Sequence, residues 1–432
     1  MTIRQHLRNQ YGRIAIVDGL RTPFARIATH YRDLSAIDLG AMAVGELMRR
    51  NELKPADVDQ LVYGMTVMIP EAPFIAREVA LRLGLQDLDA YSITRACATS
   101  FQTAASAAES LLAGSAEVII AGGTDSTSSV RLPMSAKFSS TLRDVSFAKT
   151  AGDRVRLLAG LRPKDILPQQ PSITEFSVGE TMGQSTEKMV KKWGVTRAEQ
   201  DDIAHASHSN AAAAWREGRL DEQVMTVYLP GSPLKSDNLV RMNSERASYD
   251  RLKPVFDTSG AGSVTAGNSS PLTDGASALL LMSEARAKAE GREVLGYIRS
   301  YAFTAKTPKD DLLMGPVKAA HVAMARAEIS LADLTLIDMH EAFAGQLACN
   351  LRGLASDEYA RELGFGQALG EVDRDRLNVN GGSLAFGHPF GATGARVISQ
   401  ALHELKRRGG GLALTTACAA GGIGAAMVLE AE

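Results

Sequence analysis

Cysteine is scarce in this sequence. The 432-residue chain carries three, Cys97, Cys349 and Cys418. They are odd in number and far apart, which argues against a disulfide framework and suits a reducing compartment. Neither a Cys-x-x-Cys nor a His-x-x-x-His spacing occurs among them and the eight histidines, so no metal site is expected. Aromatics make up only 5% and the formal net charge is -2, which leaves no global basic surface for nucleic acid. Long apolar runs are missing as well. Nothing approaches the ~18 uninterrupted apolar residues of a membrane span, and the opening Met-Thr-Ile-Arg-Gln-His-Leu-Arg has no apolar leader. A cytoplasmic protein is expected.

What the sequence does have is glycine, 39 residues of it, within a hydrophobic share of 45%, a balance that suits an α/β protein rich in small residues. Its length calls for two or three packed units. Strand and helix signals alternate from the start: Ile14 to Asp18 as a strand before a turn at Gly19, Asp38 to Arg50 as a helix, and Gln60 to Gly64 as a strand. Ala76 to Leu83 reads as a second helix. Cys97 falls where a strand ends and an alanine-rich helix begins, at about Ala98. That helix runs to Gly114 and leads into the buried strand Glu117 to Gly123.

The chain then repeats itself. Cys97-Ala-Thr-Ser with its helix and strand matches Gly391-Ala-Thr-Gly, Glu404 to Gly409 and Leu412 to Cys418 at an offset of 294 to 295 residues, and Ala56 to Tyr63 matches Ala332 to Met339 at an offset of 276. Two copies imply a duplication. We expect a layered α/β fold: two duplicated halves, each with a mixed five-stranded sheet, packed around central small-residue helices. The halves are assigned to 1–130, resuming over 244–285, and to 286–432, with an inserted loop domain at 131–243.

The first part of that insertion is basic. Arg131, Lys137, Arg143, Lys149, Arg154, Arg156, Arg162 and Lys164 face only Asp144, Asp153 and Asp165. It reads as a solvated helical face, a lid over a phosphorylated ligand, a docking surface for a partner, or a contact with an anionic membrane. After it, Thr196 caps a helix with Glu199 as capping-box residue, which places His205 and His208 on a structural helix. Ser263 to Ser277 is a polar, glycine-marked turn suited to ligand contact.

The chemistry gathers elsewhere. Asn378 to Gly394 sets one imidazole, His388, among glycines and a proline, a composition that brings backbone close to a ligand while fixing one side chain. The apolar run Ala395 to Leu405 puts this turn at a helix N-terminus, which favours negative charge. Cys97 and Cys418 both end apolar strands, where thiols are reactive rather than core-filling. A helix dipole and a nearby histidine would together make Cys97 a nucleophile at neutral pH. Cys418, before Ala419-Ala-Gly-Gly, can act as acid and base beside N–H groups that meet an oxyanion. His340, at the end of the strand Leu334 to Met339, can hydrogen-bond a carbonyl oxygen or a water. Cys349 reads as core.

Together Cys97-Ala-Thr-Ser, His340-Glu-Ala-Phe, Asn378 to Gly394 and Cys418-Ala-Ala-Gly-Gly resemble the motif set of the thiolases, over nearly the whole chain. Within that superfamily the His-Glu-Ala-Phe form and the basic insertion resemble the β subunits of fatty-acid β-oxidation (trifunctional) complexes, which are 3-ketoacyl-CoA thiolases. The resemblance implies that His388 activates Cys97 for attack on a 3-ketoacyl-CoA, that Cys418 is the acid/base, and that His340 and His388 hold the enolate oxygen. It further implies that the N–H groups of Cys97 and Ala420 hold the tetrahedral oxyanion, and that Ser270, Ala342 and Phe343 line the pantetheine and acyl channel. CoA is then a co-substrate, with no permanently bound cofactor. The expected partners are a second copy in a homodimer core and a hydratase/3-hydroxyacyl-CoA dehydrogenase α subunit, with peripheral membrane contact through the insertion and no nucleic acid. Many thiolases have asparagine at the position of His340 and glycine at that of Ala420. The histidine adds a titratable group, so activity is expected to fall as a histidine pair protonates. Alternatives are a biosynthetic acetoacetyl-CoA thiolase or a scaffold subunit. Condensing enzymes share the architecture but would not need Cys418.

Overall fold

The computed structural model describes residues 7–168 and 174–432. The start of the opening segment read above for its lack of a leader, residues 1–6, lies outside them. Val130–Thr174 forms a compact unit of its own, and the remaining chain forms the other. The segment expected as one insertion over 131–243 therefore divides: its basic part is the separate unit, and residues 175–243 pack with the main one.

In the main unit nine strands follow one another across the sheet. They are β1 (Gly12–Arg21), β2 (Gln60–Gly64), β3 (Asp89–Ile93), β4 (Val118–Asp125), β5 (Thr273–Ser283), β6 (Gly296–Ala305), β7 (Leu336–Met339), β8 (Gly411–Ala419) and β9 (Ile423–Ala431). β1 runs past the turn expected at Gly19, because through Arg21 its backbone pairs with β5. The turn that opens at Ser263 likewise yields to β5 at Thr273.

Both halves use one plan. Outward from their junction the first reads β1-β5-β4-β2-β3 and the second β6-β9-β8-β7. In each, the two pairs nearest the junction are antiparallel and the pairs toward the edge are parallel, two of them in the first half and one in the second. The counterpart of β3 shrinks to a single bridge, Ile337 with Leu377. Antiparallel pairing of Gly296–Ile298 with Ile14–Ile16 joins the two sheets into one ladder.

The helices used below are α1 (Ala36–Arg50), α2 (Ile75–Arg82), α3 (Thr99–Ala113), α4 (Met182–Lys192), α5 (Arg197–Arg216), α6 (Gly315–Ala327), α7 (Ala344–Leu354) and α8 (Thr393–Arg407). Strand alternation sorts the layers. Ile119, Ala121, Leu279 and Leu281 face inward onto α3 and α8, whereas Val118, Ile120, Leu280 and Met282 face outward onto α1 and α2. The second half does the same against α6 and α7. The result is helices, sheet, central helix pair, sheet, helices. Each fully buried leucine, isoleucine or methionine in these layers contributes about 1.5–3 kcal/mol.

The central pair meets end to end. The Ala395 N–H of α8 donates to Ser100 Oγ of α3 at 2.8 Å, and Gly394 lies so close to α3 that a Cβ there would sit 2.5 Å from the Phe101 nitrogen. This contact fixes the two duplicated motifs against each other at the level where Cys97 and His388 enter.

In the separate unit Ala136–Phe147, Ala151–Ala159 and Pro163–Ile166 are helical. Lys137 pairs with Asp165 at 3.0 Å and Arg156 with Asp153 at 3.7 Å. Phe147, Val155 and Leu167 are exposed. Among the described residues no helix is long and apolar enough to cross a membrane.

Candidate active site

Cys97 occupies the short link between β3 and α3. Ala96, just before it, has φ 48°, a left-handed conformation that a residue with a Cβ adopts only when its surroundings impose it. Here the Thr66 and Thr99 hydroxyls donate to the Ala96 carbonyl at 3.0 and 2.7 Å, and the Arg95 N–H donates to Thr99 Oγ1 at 2.8 Å. Asp125 braces the same corner: Gly391, Val67 and Thr66 N–H groups donate to it at 2.6, 2.7 and 3.0 Å.

His340 directly follows β7, its N–H donating to the Thr416 carbonyl at 2.9 Å. His388 follows Gly387, whose φ of 94° suits glycine alone, and its N–H donates to Thr273 Oγ1 at 3.1 Å. The two rings face each other with centroids 4.1 Å apart. A ring nitrogen of each and the Cys97 sulfur all lie within 4.8 Å of one another. The expected nucleophile, base and oxyanion histidine therefore share one place.

Hydrogen-bond accounting gives the two rings opposite tautomers. Arg396 can only donate, and it donates to Ser383 Oγ at 2.8 Å. The Ser383 proton is then directed to His340 Nδ1, 2.9 Å away, which leaves His340 with Nε2–H, a donor. Thr393 Oγ1 faces the Pro389 carbonyl at 3.4 Å and His388 Nδ1 at 2.7 Å. With its proton on the carbonyl it accepts from Nδ1–H, so His388 Nε2 carries a lone pair, as a base must. Both Nε2 atoms are buried without a partner in the protein.

The electrostatics modify the expectation of a resting thiolate. Cys97 keeps a partly exposed surface, yet burial of the thiol, then the Asp125 charge, push it up to about 12 against the pull of the Cys97 and Ala420 N–H groups. Burial, with Arg396 adding positive charge, pushes His388 down to about 3. His340 is lowered by burial, by His388 and by Arg396. The resting pair is thus neutral thiol and neutral imidazole, and the dipole does not prevail over desolvation. The acid limb expected from a histidine pair is likewise displaced to low pH. Cys418, at the end of β8, is buried, and its thiol is raised by burial and by Cys97.

The turn after Cys418 presents the Ala420 N–H to Cys97. Positive φ falls on Gly421 and Gly422 and not on Ala420, so alanine is accommodated there. The Gly421 N–H is occupied, donating to Glu175 Oε2 at 2.7 Å. At α8 the Ala395 and Gly391 N–H groups are taken by Ser100 and Asp125. These bonds therefore brace the loops that carry Cys97 and His388, and those two groups are not free for an anion.

The Ser270 N–H donates to the Ala342 carbonyl at 2.9 Å, and Ser269 bridges Phe343, which puts the three expected channel residues on one wall. Cys349 is fully buried in α7. His205 bonds Ser244 at 3.0 Å, and His208 accepts the Arg241 N–H at 3.1 Å. Thr196 caps α5, but Glu199 leaves the cap to pair with Arg352 at 2.8 Å.

Sequence reasoning missed the braces. Glu341 accepts from Ser207 and Asn378, each at 2.6 Å, tying β7 to α5 and to the glycine loop. Its place beside His340 was the available signal. Ser383, Thr393 and Asn378 lay within the stretch already singled out. Arg396 and Asp338 carried no sequence signal.

Comparison with known proteins fits this geometry. The chain matches the family models "Thiolase, N-terminal domain" over residues 14–285 and "Thiolase, C-terminal domain" over 292–431. It belongs to the thiolase family. Among relatives, the "3-ketoacyl-CoA thiolase" of Cronobacter sakazakii is 56% identical over 427 residues, 98% of each chain. The protein of the same name from Vibrio cholerae serotype O1 is 54% identical, covering 99% of this chain and 100% of its own. The crystal structure of human mitochondrial 3-ketoacyl-CoA thiolase in complex with CoA superposes with a TM-score of 0.83 at 28% identity over the full length of both chains.

Proposed function

We propose that this chain is a 3-ketoacyl-CoA thiolase that cleaves 3-ketoacyl-CoA with CoA to acetyl-CoA and a shortened acyl-CoA in fatty-acid β-oxidation. The observation that carries it is the meeting of the Cys97 sulfur with a nitrogen of His340 and of His388 inside 4.8 Å. His388 Nε2 takes the Cys97 proton as the sulfur attacks the keto carbon, so charge separates only in the presence of substrate. The tetrahedral oxyanion lies against the Cys97 and Ala420 N–H groups. The Cα–Cβ bond breaks, and the enolate oxygen accepts from His340 Nε2–H and the protonated His388. Cys418 protonates the enolate carbon. It then removes the proton of an incoming CoA thiol, which displaces the acyl group from Cys97. Ser270, Ala342 and Phe343 line the channel for pantetheine and acyl chain, and CoA is the co-substrate.

The finer assignments follow the same reading: a cytoplasmic enzyme with a homodimer core, joined to a hydratase/3-hydroxyacyl-CoA dehydrogenase subunit. Supporting an external contact through residues 130–174, the exposed Phe147, Val155 and Leu167 lie among the basic side chains. The deciding experiment is an assay with 3-ketohexadecanoyl-CoA and CoA, alone and with the partner subunit. Acetyl-CoA release is expected. No release in either case leaves only a scaffold.

A further inference from the structure

We propose that Cys97, His340 and His388, with water in the fourth position, form a binding site for a soft divalent cation of the zinc class, and that its occupation blocks acyl transfer. Only the inhibitory consequence rests on the thiolase reading; the binding does not. Three donors within 4.8 Å must close to roughly 3.3–3.7 Å to suit tetrahedral Zn–N and Zn–S bonds. Side-chain rotation can supply a movement of this size. Both Nε2 atoms are buried and unpartnered, so a cation displaces no existing protein bond. Each Nδ1 is held by a hydroxyl, Ser383 at 2.9 Å and Thr393 at 2.7 Å, the outer support by which metal-binding histidines are oriented.

The donor set also selects. One sulfur and two imidazoles suit zinc, cadmium or cobalt, whereas magnesium and calcium require oxygen ligands. The three donors include no carboxylate, and the buried Arg396 stands behind Ser383, which further disfavours ions held by charge alone. On binding, the Cys97 thiol proton leaves to solvent and a sulfur–metal bond forms. His340 shifts its proton from Nε2 to Nδ1, where Ser383 Oγ accepts it, and His388 ligates through its free Nε2. The histidine at position 340 completes the set, because an asparagine there would leave two strong donors.

The test uses purified full-length protein stripped with chelator, titrated with Co2+ and then Zn2+. We expect one ion per chain, a thiolate-to-cobalt charge-transfer band, displacement of cobalt by zinc, and inhibition by zinc but not by magnesium. His340→Asn should weaken affinity more than tenfold, while Cys349→Ser leaves it unchanged. Alkylating Cys97 in the unmutated protein should abolish the band without depending on a variant's folding. Absence of a thiolate band, or a band that survives alkylation, overturns the site. Acetyl-CoA release by the stripped enzyme is scored separately. An active enzyme that binds no cobalt defeats the metal proposal alone, and an inactive one that binds it defeats the thiolase reading alone.

Discussion

His340 and His388 lie ring against ring, centroids 4.1 Å apart and tilted by 42°, yet their hydrogen bonds give the two imidazoles opposite tautomers. One offers a proton and the other a lone pair, and the difference is set by Ser383 and Thr393 behind them.

Ser383→Ala should therefore damage catalysis more than binding. It removes the proton that holds His340 Nδ1 as an acceptor and the hydroxyl oxygen that accepts from Arg396. We expect kcat to fall on the order of 10²-fold, the scale of losing one oxyanion donor, with KM changed little. Ser383→Thr, which keeps the hydroxyl, should recover most of the rate. Equal losses in the alanine and threonine variants would mean that packing, and not the hydroxyl, matters.

The two sulfurs separate in a trapping experiment. After Cys97→Ser, mass spectrometry should find no acyl label on the protein. After Cys418→Ser, Cys97 should still acylate, while turnover falls by about 10²–10⁴, the usual contribution of a positioned acid or base. Label on a protein lacking Cys97 would reassign the nucleophile.

Asp125 gives a pH dependence of stability. Burial raises its carboxyl from 3.8 to about 6 despite the Gly391, Val67 and Thr66 N–H groups. Between these values the folded protein holds a proton that the unfolded chain has lost, so stability declines as pH rises from about 4 to about 6. The loss amounts to about 2–3 kcal/mol for a shift of this size. Asp125→Asn removes the dependence. Urea denaturation of both proteins at pH 4.5 and 7 should show the unmutated protein losing that much relative to the variant, and parallel behaviour would refute the shift.

The duplication was legible because α3 and α8 are each 15 residues long and set 294 apart, so sequence self-similarity and three-dimensional symmetry coincide. The meeting of Cys97 with His340 and His388 was legible because these residues lie beside element ends, next to small residues. Arg396 was not. A charged residue on an amphipathic helix is expected to face water, and this one is buried because Asp338 and Ser383 meet it through the fold, at 3.7 and 2.8 Å. The neutrality of the thiol and imidazole was hidden for the same reason, since desolvation depends on neighbours distant in sequence. The bridge at Ile337 and Leu377 reflects a strand lost from the second copy, which a repeat of unequal length leaves unmarked.

A close approach between the duplicated halves is also open to test. At Gly394 a Cβ would meet the Phe101 nitrogen at 2.5 Å, the Phe101 ring at 2.8 Å and Ser100 Oγ at 2.9 Å. The first of these is backbone, which no rotamer change can move aside, so Gly394→Ala must push α3 away from α8. Cys97 stands two residues before α3 and His388 five before α8, hence the displacement opens the site as it strains the core. We expect destabilisation of about 1–3 kcal/mol, typical of overpacking, and slower acylation of Cys97 with substrate affinity less affected. Gly366→Ala, where the added methyl meets open space, is the control for backbone entropy alone. If urea unfolding and single-turnover acylation are the same in the two variants, the helix crossing does not set the distance between sulfur and imidazole.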